Sequence, residues 1–166
     1  DARITPIYEG TNGIQAMDLV GRKLGLDGGE VVREFLAMVA SLDPALAKGG
    51  DDLATIRDNL AEALTSLVDT TNWLMHKGLE DVQVALAGAT PYLRMFSLVT
   101  AGWIMARQAV AAHTALEAGE GDAEFLRAKI VTARFFCEQL LPQAAGLTGA
   151  VKAGPAALFA IAPAYL

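Results

Sequence analysis

The sequence predicts an all-α fold: an up-down, antiparallel bundle of about four main helices, preceded by a loop and a short lead-in helix. Two observations carry this. Apolar residues recur three and four positions apart, the period of a helix face, and almost nowhere alternate as a half-buried strand requires. Glycine and proline fall between long runs rich in alanine and leucine, where they act as punctuation.

The opening segment to Tyr8 reads as extended or loop, because Thr5 precedes Pro6 and proline disfavours helix in the residue before it. Thr11 and Asn12 are both competent N-cap types, so a helix starts there. Ile14, Met17 and Leu24 mark its apolar side, and Gly25 suits the position just past its end. A second helix spans about 30–46, with a stripe of Val32, Phe35, Leu36, Val39 and Leu42 and with Pro44 as a candidate early stop. Gly49 and Gly50 break the chain. The clearest helix follows over about 51–76, where Leu53, Ile56, Leu60, Leu64, Leu67, Thr71 and Leu74 form a seam suited to a bundle.

Residues 81–118 read as a long helix with Phe96, Val99, Trp103, Ala106 and Val110 on one side. Pro91 interrupts it. Either the proline kinks one helix, the reading favoured here, or Thr90 caps a fresh start. After a turn at 118–121, Asp122 and Glu124 place carboxylates at the positive end of a last long helix. Leu126, Ile130, Ala133, Cys137 and Leu140 carry its apolar face, Pro142 is a candidate kink, and the helix stops before Gly154-Pro155. The apolar tail is expected to pack back onto the bundle or onto other parts of a longer protein.

The chain has 166 residues, enough for one domain with its own core. Hydrophobic residues make up 53%, and the mean hydropathy is +0.35. An alanine-rich bundle accounts for such figures. So does a piece that buries further surface against another domain or subunit. The net charge is −6 and no basic patch stands out, which argues against nucleic acid as a partner. The single cysteine, Cys137, excludes an internal disulfide and a cysteine zinc site, and it fits a reducing compartment. No secretory signal is visible. The most apolar stretch, 153–166, is too short to span a bilayer and is broken by Gly154, Pro155 and Pro163. No helix carries a basic amphipathic face, so a membrane is not an expected partner. The first residue is aspartate, which suggests a fragment or a processed chain.

Chemistry concentrates in Arg3-Ile4-Thr5-Pro6-Ile7-Tyr8-Glu9-Gly10-Thr11-Asn12-Gly13-Ile14-Gln15. Read from the residues alone, Glu9 is a carboxylate on a loop directly before a helix. Gly10 permits close approach to the backbone, and the helix start favours an anion or phosphate. The plainer reading makes Glu9 a solvated loop residue and Thr11 only a cap. Arg3 reads as an ion-pair residue, and Tyr8 as a cavity wall or as packing under the loop.

Tyr8-Glu9-Gly10-Thr11-Asn12-Gly13-Ile14-Gln15, with the lead-in Asp1-Ala2-Arg3-Ile4, resembles the segment near the end of the catalytic domain of FAD-dependent acyl-CoA dehydrogenases. More loosely, Ala87-Gly88-Ala89-Thr90-Pro91-Tyr92-Leu93-Arg94 and Gly102-Trp103 resemble the additional C-terminal helical domain of a bacterial subgroup of that family. The resemblance implies two parts: 1–26 as the end of the catalytic domain, and 27–166 as the additional bundle. It implies oxidation of an acyl-CoA thioester to a trans-2-enoyl-CoA, with Glu9 as the base that removes the α proton and FAD as the hydride acceptor. Gly10 matches a substrate-contacting position. Thr11, Asn12 and Gly13 match a segment that contacts FAD, although Gly13 stands where some members have glutamine and any side-chain contact is lost. A thioester oxygen gaining negative character would be bound by the Glu9 backbone N–H and a flavin ribityl hydroxyl. Water expelled by the acyl chain raises the pKa of a carboxylate so placed, which strengthens the base.

The family further implies an electron-transfer flavoprotein as electron acceptor, the missing N-terminal and β domains of the same chain, a homo-oligomer and a cytoplasmic location. The fragment by itself is expected to be inactive and to retain no FAD. The alternative is a stand-alone helical interaction or oligomerisation module with a vestigial motif. No metal site is expected, because His76 and His113 lie on different helices without ligand spacing. Gly28-Gly29 and Gly49-Gly50 lack the Lys-Ser/Thr of a P-loop. Cys137 reads as a buried thiol, Trp73 and Trp103 as bundle anchors, and Asp51-Asp52 as a helix start.

Overall fold

The computed structural model describes residues 11–165. Helix α1 (Thr11–Asp18) runs into a π-helical turn (Leu19–Lys23), and a 3-10 turn (Leu26–Gly29) leads to α2 (Glu30–Ala40). Then follow α3 (Asp43–Lys48), α4 (Gly50–Glu80), α5 (Val82–Ala87), α6 (Ala89–Ala118), α7 (Ala123–Gln139), α8 (Gln143–Gly146) and α9 (Thr148–Lys152). A last 3-10 turn covers Pro163–Tyr165. Among the described residues there is no strand, and the main body is an all-α bundle of α2, α4, α6 and α7.

Neighbouring long helices run in opposite directions. Gly29, just before α2, faces Met75 near the end of α4, while Val39 near the end of α2 shares a hollow with Leu60. Gly102 in α6 faces Leu141 just after α7, while the other ends of these two helices join through the turn at Gly119 and Gly121. Phe35 of α2 stacks on Phe96 at 5.1 Å and meets Trp103 edge-on at 6.0 Å. Val31 and Val32 at the start of α2 share a hollow with Phe96, and Met38 near its end shares one with Trp103 and Arg107, so α2 and α6 share a direction opposite to that of α4.

The α4 seam folds as its spacing predicts. Leu53, Ile56, Leu60, Leu67, Thr71 and Leu74 are buried and Leu64 is half-buried. Burying each of the large ones is worth about 1.5–3 kcal/mol. Helix α6 packs against α1, α4, α7, α8 and α9. A helix so surrounded needs apolar residues nearly all round, and Tyr92, Met95, Val99, Ala106, Ala109 and Ala112 are all buried. On α7, Asp122 caps the helix by accepting from the N–H groups of Glu124 (2.9 Å) and Phe125 (3.2 Å).

Four expectations are corrected. The single helix at 30–46 is two: α2 ends at Ala40, and Pro44 sits in the first turn of α3, where its missing N–H costs nothing. The favoured kinked helix over 81–118 is also two, divided at Gly88 rather than bent at Pro91. Pro91 falls in the first turn of α6, one residue before the first N–H, that of Tyr92, to bond back to the Gly88 carbonyl (3.0 Å). Pro142 likewise ends rather than kinks, lying between α7 and α8. Finally, Ile14 and Met17 are 62% and 48% exposed, whereas Ala16 and Leu24 are buried. In a regular α-helix Ile14, Met17 and Leu24 would share a face. The wider π turn between them, shown by the bond from the Leu24 N–H to the Leu19 carbonyl (2.9 Å), shifts the phase.

One polar contact is buried between α4 and α6. Thr71 Oγ1 lies 2.7 Å from the Tyr92 hydroxyl and donates its only proton to the Leu67 carbonyl at 2.7 Å. The Tyr92 hydroxyl is therefore the donor to Thr71. Burial pushes the phenol well above the usual tyrosine range, and the Thr71 bond opposes that. Thr71→Val strands a buried hydroxyl and is expected to cost about 1–3 kcal/mol, whereas Tyr92→Phe leaves Thr71 bonded to Leu67 and should cost about 1 kcal/mol. The double variant should lose less than the sum of the two. Urea unfolding of the four-member cycle checks this, and simple additivity would contradict the bond.

Candidate functional site

Of the sequence-predicted site, Glu9 and Gly10 lie outside the described residues, as do Arg3 and Tyr8. The structure places Thr11, Asn12 and Gly13 in the first turn of α1, all exposed. That turn contains no acidic residue, and a Cβ at Gly13 would meet nothing within 4 Å. The N–H groups of a first turn have no partner within their own helix, and the helix dipole favours negative charge there. Among the described residues, a phosphate-bearing group would meet neither bulk nor like charge in this first turn. Being exposed, the three residues offer such a group one face and no enclosure.

The π turn fixes the other end of α1. Arg22 donates to both Asp18 oxygens (2.6 and 2.9 Å), and Lys23 Nζ lies 3.0 Å from one of them. Residues four and five apart converge on one carboxylate because the turn is wider than an α-helical one. Arg22, and after it Lys23, hold the Asp18 carboxyl down at about 2. The chain then reverses through three left-handed residues, Asp27, Gly28 and Gly29. Aspartate tolerates that conformation, and glycine adopts it freely.

Elsewhere the candidates are structural. Cys137 is fully buried, and burial pushes its thiol up to about 11, which leaves it unreactive near neutral pH. His76 Nδ1 sits 3.2 Å from Glu80 on the surface, and His113 Nε2 sits 3.5 Å from Glu117 at the core edge. Among the described residues no group of three or more His, Cys, Asp or Glu could hold a metal ion, and no helix is long and apolar enough to cross a membrane. Trp103 is buried with Arg107 4.8 Å over its ring, and Asp51 and Asp52 occupy the first turn of α4.

The segment 87–94 is a packing junction. A Cβ on Gly88 would stand 2.5 Å from the Val151 carbonyl oxygen, Tyr92 makes the buried bond to Thr71, and Arg94 donates to Gln143 at 3.0 Å. Gly102 similarly leaves room for Leu141. These contacts tie the break between α5 and α6 to the end of the chain.

The family model described as "Acetyl-CoA dehydrogenase C-terminal like" matches residues 30–162. The chain belongs to this acyl-CoA dehydrogenase C-terminal family. Among curated proteins, a 3-methylmercaptopropionyl-CoA dehydrogenase of Ruegeria pomeroyi is 44% identical over 85% of the chain and 24% of its own length. A butyryl-CoA dehydrogenase of Syntrophomonas wolfei is 34% identical over 92% of the chain and 25% of its own length. A broad-specificity linear acyl-CoA dehydrogenase of Mycobacterium tuberculosis is 33% identical over 86% of the chain and 24% of its own length. The chain thus spans about a quarter of the length of the curated relatives it matches. Within the acyl-CoA dehydrogenase C-terminal domain, sequence reasoning missed Leu79 and Val82, which join Leu158 and Phe159 of the apolar tail as exposed apolar side chains. Leu79, Val82, Leu158 and Phe159 are between 58% and 91% exposed. The signal was available for Leu79, which follows Gly78 and lies beyond the α4 seam.

Proposed function

We propose that this chain is the C-terminal part of an FAD-dependent acyl-CoA dehydrogenase. Residues 1–26 would end the catalytic domain, and 27–166 would form an additional helical domain. The observation that supports this reading most is the exposed, carboxylate-free start of α1 directly after Tyr8-Glu9-Gly10, in a chain whose relatives are acyl-CoA dehydrogenases.

In this reading Glu9 removes the α proton of an acyl-CoA thioester. The Glu9 backbone N–H donates to the thioester oxygen as negative character grows there, and such a donor contributes only when it is already in place. Gly10 leaves room for the thioester. Thr11, Asn12 and Gly13 would hold FAD against the helix start, with the rest of its enclosure supplied by other parts of the polypeptide. FAD, when bound, supplies the acceptor for the β hydride, and the product is a trans-2-enoyl-CoA. An electron-transfer flavoprotein is the proposed acceptor of the electrons, and a cytoplasmic homo-oligomer the proposed setting. The 166-residue chain alone would retain no flavin and be inactive.

Anaerobic mixing of the full-length protein with butyryl-CoA, 3-methylmercaptopropionyl-CoA and longer acyl thioesters tests the reading. At least one thioester is expected to bleach the flavin. A full-length protein whose flavin none of them reduces would exclude the activity. Stoichiometric flavin on the purified 166-residue chain would exclude its being an incomplete site.

A further inference from the structure

Two hollows at one end of the bundle share a wall. The first, about 320 Å³, lies between the π turn (Val20, Gly21) and the junction of α4 and α5 (Leu79, Val82). The second lies between α5 and the chain's last residues, Leu158 and Phe159, and Leu86 lines both. No charged residue lines either one. By contrast, the hollow between α2, α3 and α4 contains the Asp43–Arg57 ion pair, and the hollow beside α2 and α6 carries Arg22 and Lys23. Leu79 is 91% exposed, Phe159 70% and Leu158 64%. Large apolar residues gathered around uncharged hollows mark a contact surface rather than ordinary surface scatter.

We infer that this surface, from the π turn across α5 to Leu158 and Phe159, is where the flavin- and substrate-binding part of the same polypeptide docks. The inference rests on the dehydrogenase reading above. Three observations select this occupant. The relatives are about four times longer than the stretch they share with this chain, so a large body of further polypeptide is available. That body has to reach Glu9, which stands two residues before α1 and hence within about 7 Å of its start. Helix α1 leads straight into the π turn that walls the first hollow, and its own Ile14 and Met17 are exposed. The exposed apolar residues of α7, Phe125, Val131 and Phe135, lie on a helix that begins at the opposite end of α6. The π turn lies at the level of Phe96, and Ala118 is about 30 Å further along α6 at 1.5 Å per residue. A body continuous with α1 is thereby tied to the end of the bundle that bears the α5 surface.

Single cysteines at Leu79, Leu158 and, as a reference at the far end, Glu120 allow a direct test. Cys137 is fully buried and adds little background. Thiol-labelling rates are measured by mass spectrometry in the 166-residue chain and in the full-length protein. Leu79→Cys and Leu158→Cys should label rapidly in the former and at least ~10-fold more slowly in the latter, with Glu120→Cys equally fast in both. Equal rates at 79 and 158 in the two proteins would overturn the inference. So would protection that appears in the 166-residue chain and grows with its concentration, because the occupant would then be a second copy. Flavin reduction by Glu9→Gln is read separately: protection with an unimpaired Glu9→Gln variant keeps the docking surface and removes the base, and the converse pair of results does the reverse.

Discussion

If the proposed function holds, Glu9→Gln in the full-length protein is expected to slow flavin reduction by an acyl-CoA thioester about a hundred- to ten-thousand-fold, the usual contribution of a general base. Glutamine keeps the size and the backbone N–H of the residue but cannot accept the α proton. Thioester binding should therefore persist, and the loss should fall on the reduction step. The sign of the pH dependence follows from the same role. A base acts as its anion, so the parent rate should rise with pH through the carboxyl titration, and the variant's residual rate should be flat across it. Stopped-flow reduction at several pH values reads both. A Glu9→Gln variant that reduces flavin as fast as the parent would place the base elsewhere and leave this chain a scaffold.

Gly88→Val is expected to destabilise the bundle strongly, through contact alone. The backbone of Gly88 has φ −85°, which any residue adopts, so no conformational strain is involved. The cost is contact. A Cβ there meets the Val151 carbonyl oxygen at 2.5 Å and its carbonyl carbon at 3.3 Å, backbone atoms that move only if α9 moves. Overpacking of this kind costs about 1–3 kcal/mol or more, and for a domain of this size each kcal/mol lowers Tm by roughly 2–4 °C. Gly149→Ala is the matched control. It lies on α9 itself with nothing within 4 Å of the added Cβ, and should be neutral or slightly stabilising. Thermal unfolding by circular dichroism compares the two, and an unshifted Tm for Gly88→Val would show that α9 is not held where Val151 places it.

How much could be read in advance depended on how many sides of a helix are covered. Helix α4 buries a defined set of positions, so its three-and-four spacing names most of them, although it omits Ala63 and Thr70, which are also buried. Helix α6 is covered on several sides. Its apolar residues therefore carry little phase information, and Tyr92 and Met95, both fully buried, were not on the predicted stripe. The break before α6 was assigned to Pro91 because proline is conspicuous in a sequence. Gly88 makes the break, and the Val151 backbone it accommodates is distant in sequence. Asp122 was legible because capping is local chemistry. For the site, the residues alone left Glu9 open between a base and a solvated carboxylate. The family likeness, not spacing or charge, is what favours the base. The apolar tail was open between packing on the bundle and packing on other parts of a longer protein, and the exposure of Leu158 and Phe159 favours the second.

The π turn at Leu19–Lys23 joins the segment that bears Glu9 to the bundle through one continuous helical rod. A turn of that kind holds about one residue more than an α-helical turn, and one residue corresponds to roughly 100° of rotation. The azimuth at which α1 meets the bundle is thus set by the pitch of this turn together with its residue count. Loss of a single residue between Asp18 and Leu24 would let the rod close into regular α-helix and keep that azimuth. Tightening of the turn to α-helical pitch with all its residues kept would instead rotate Ile14 and Met17 by roughly 100° relative to Leu24.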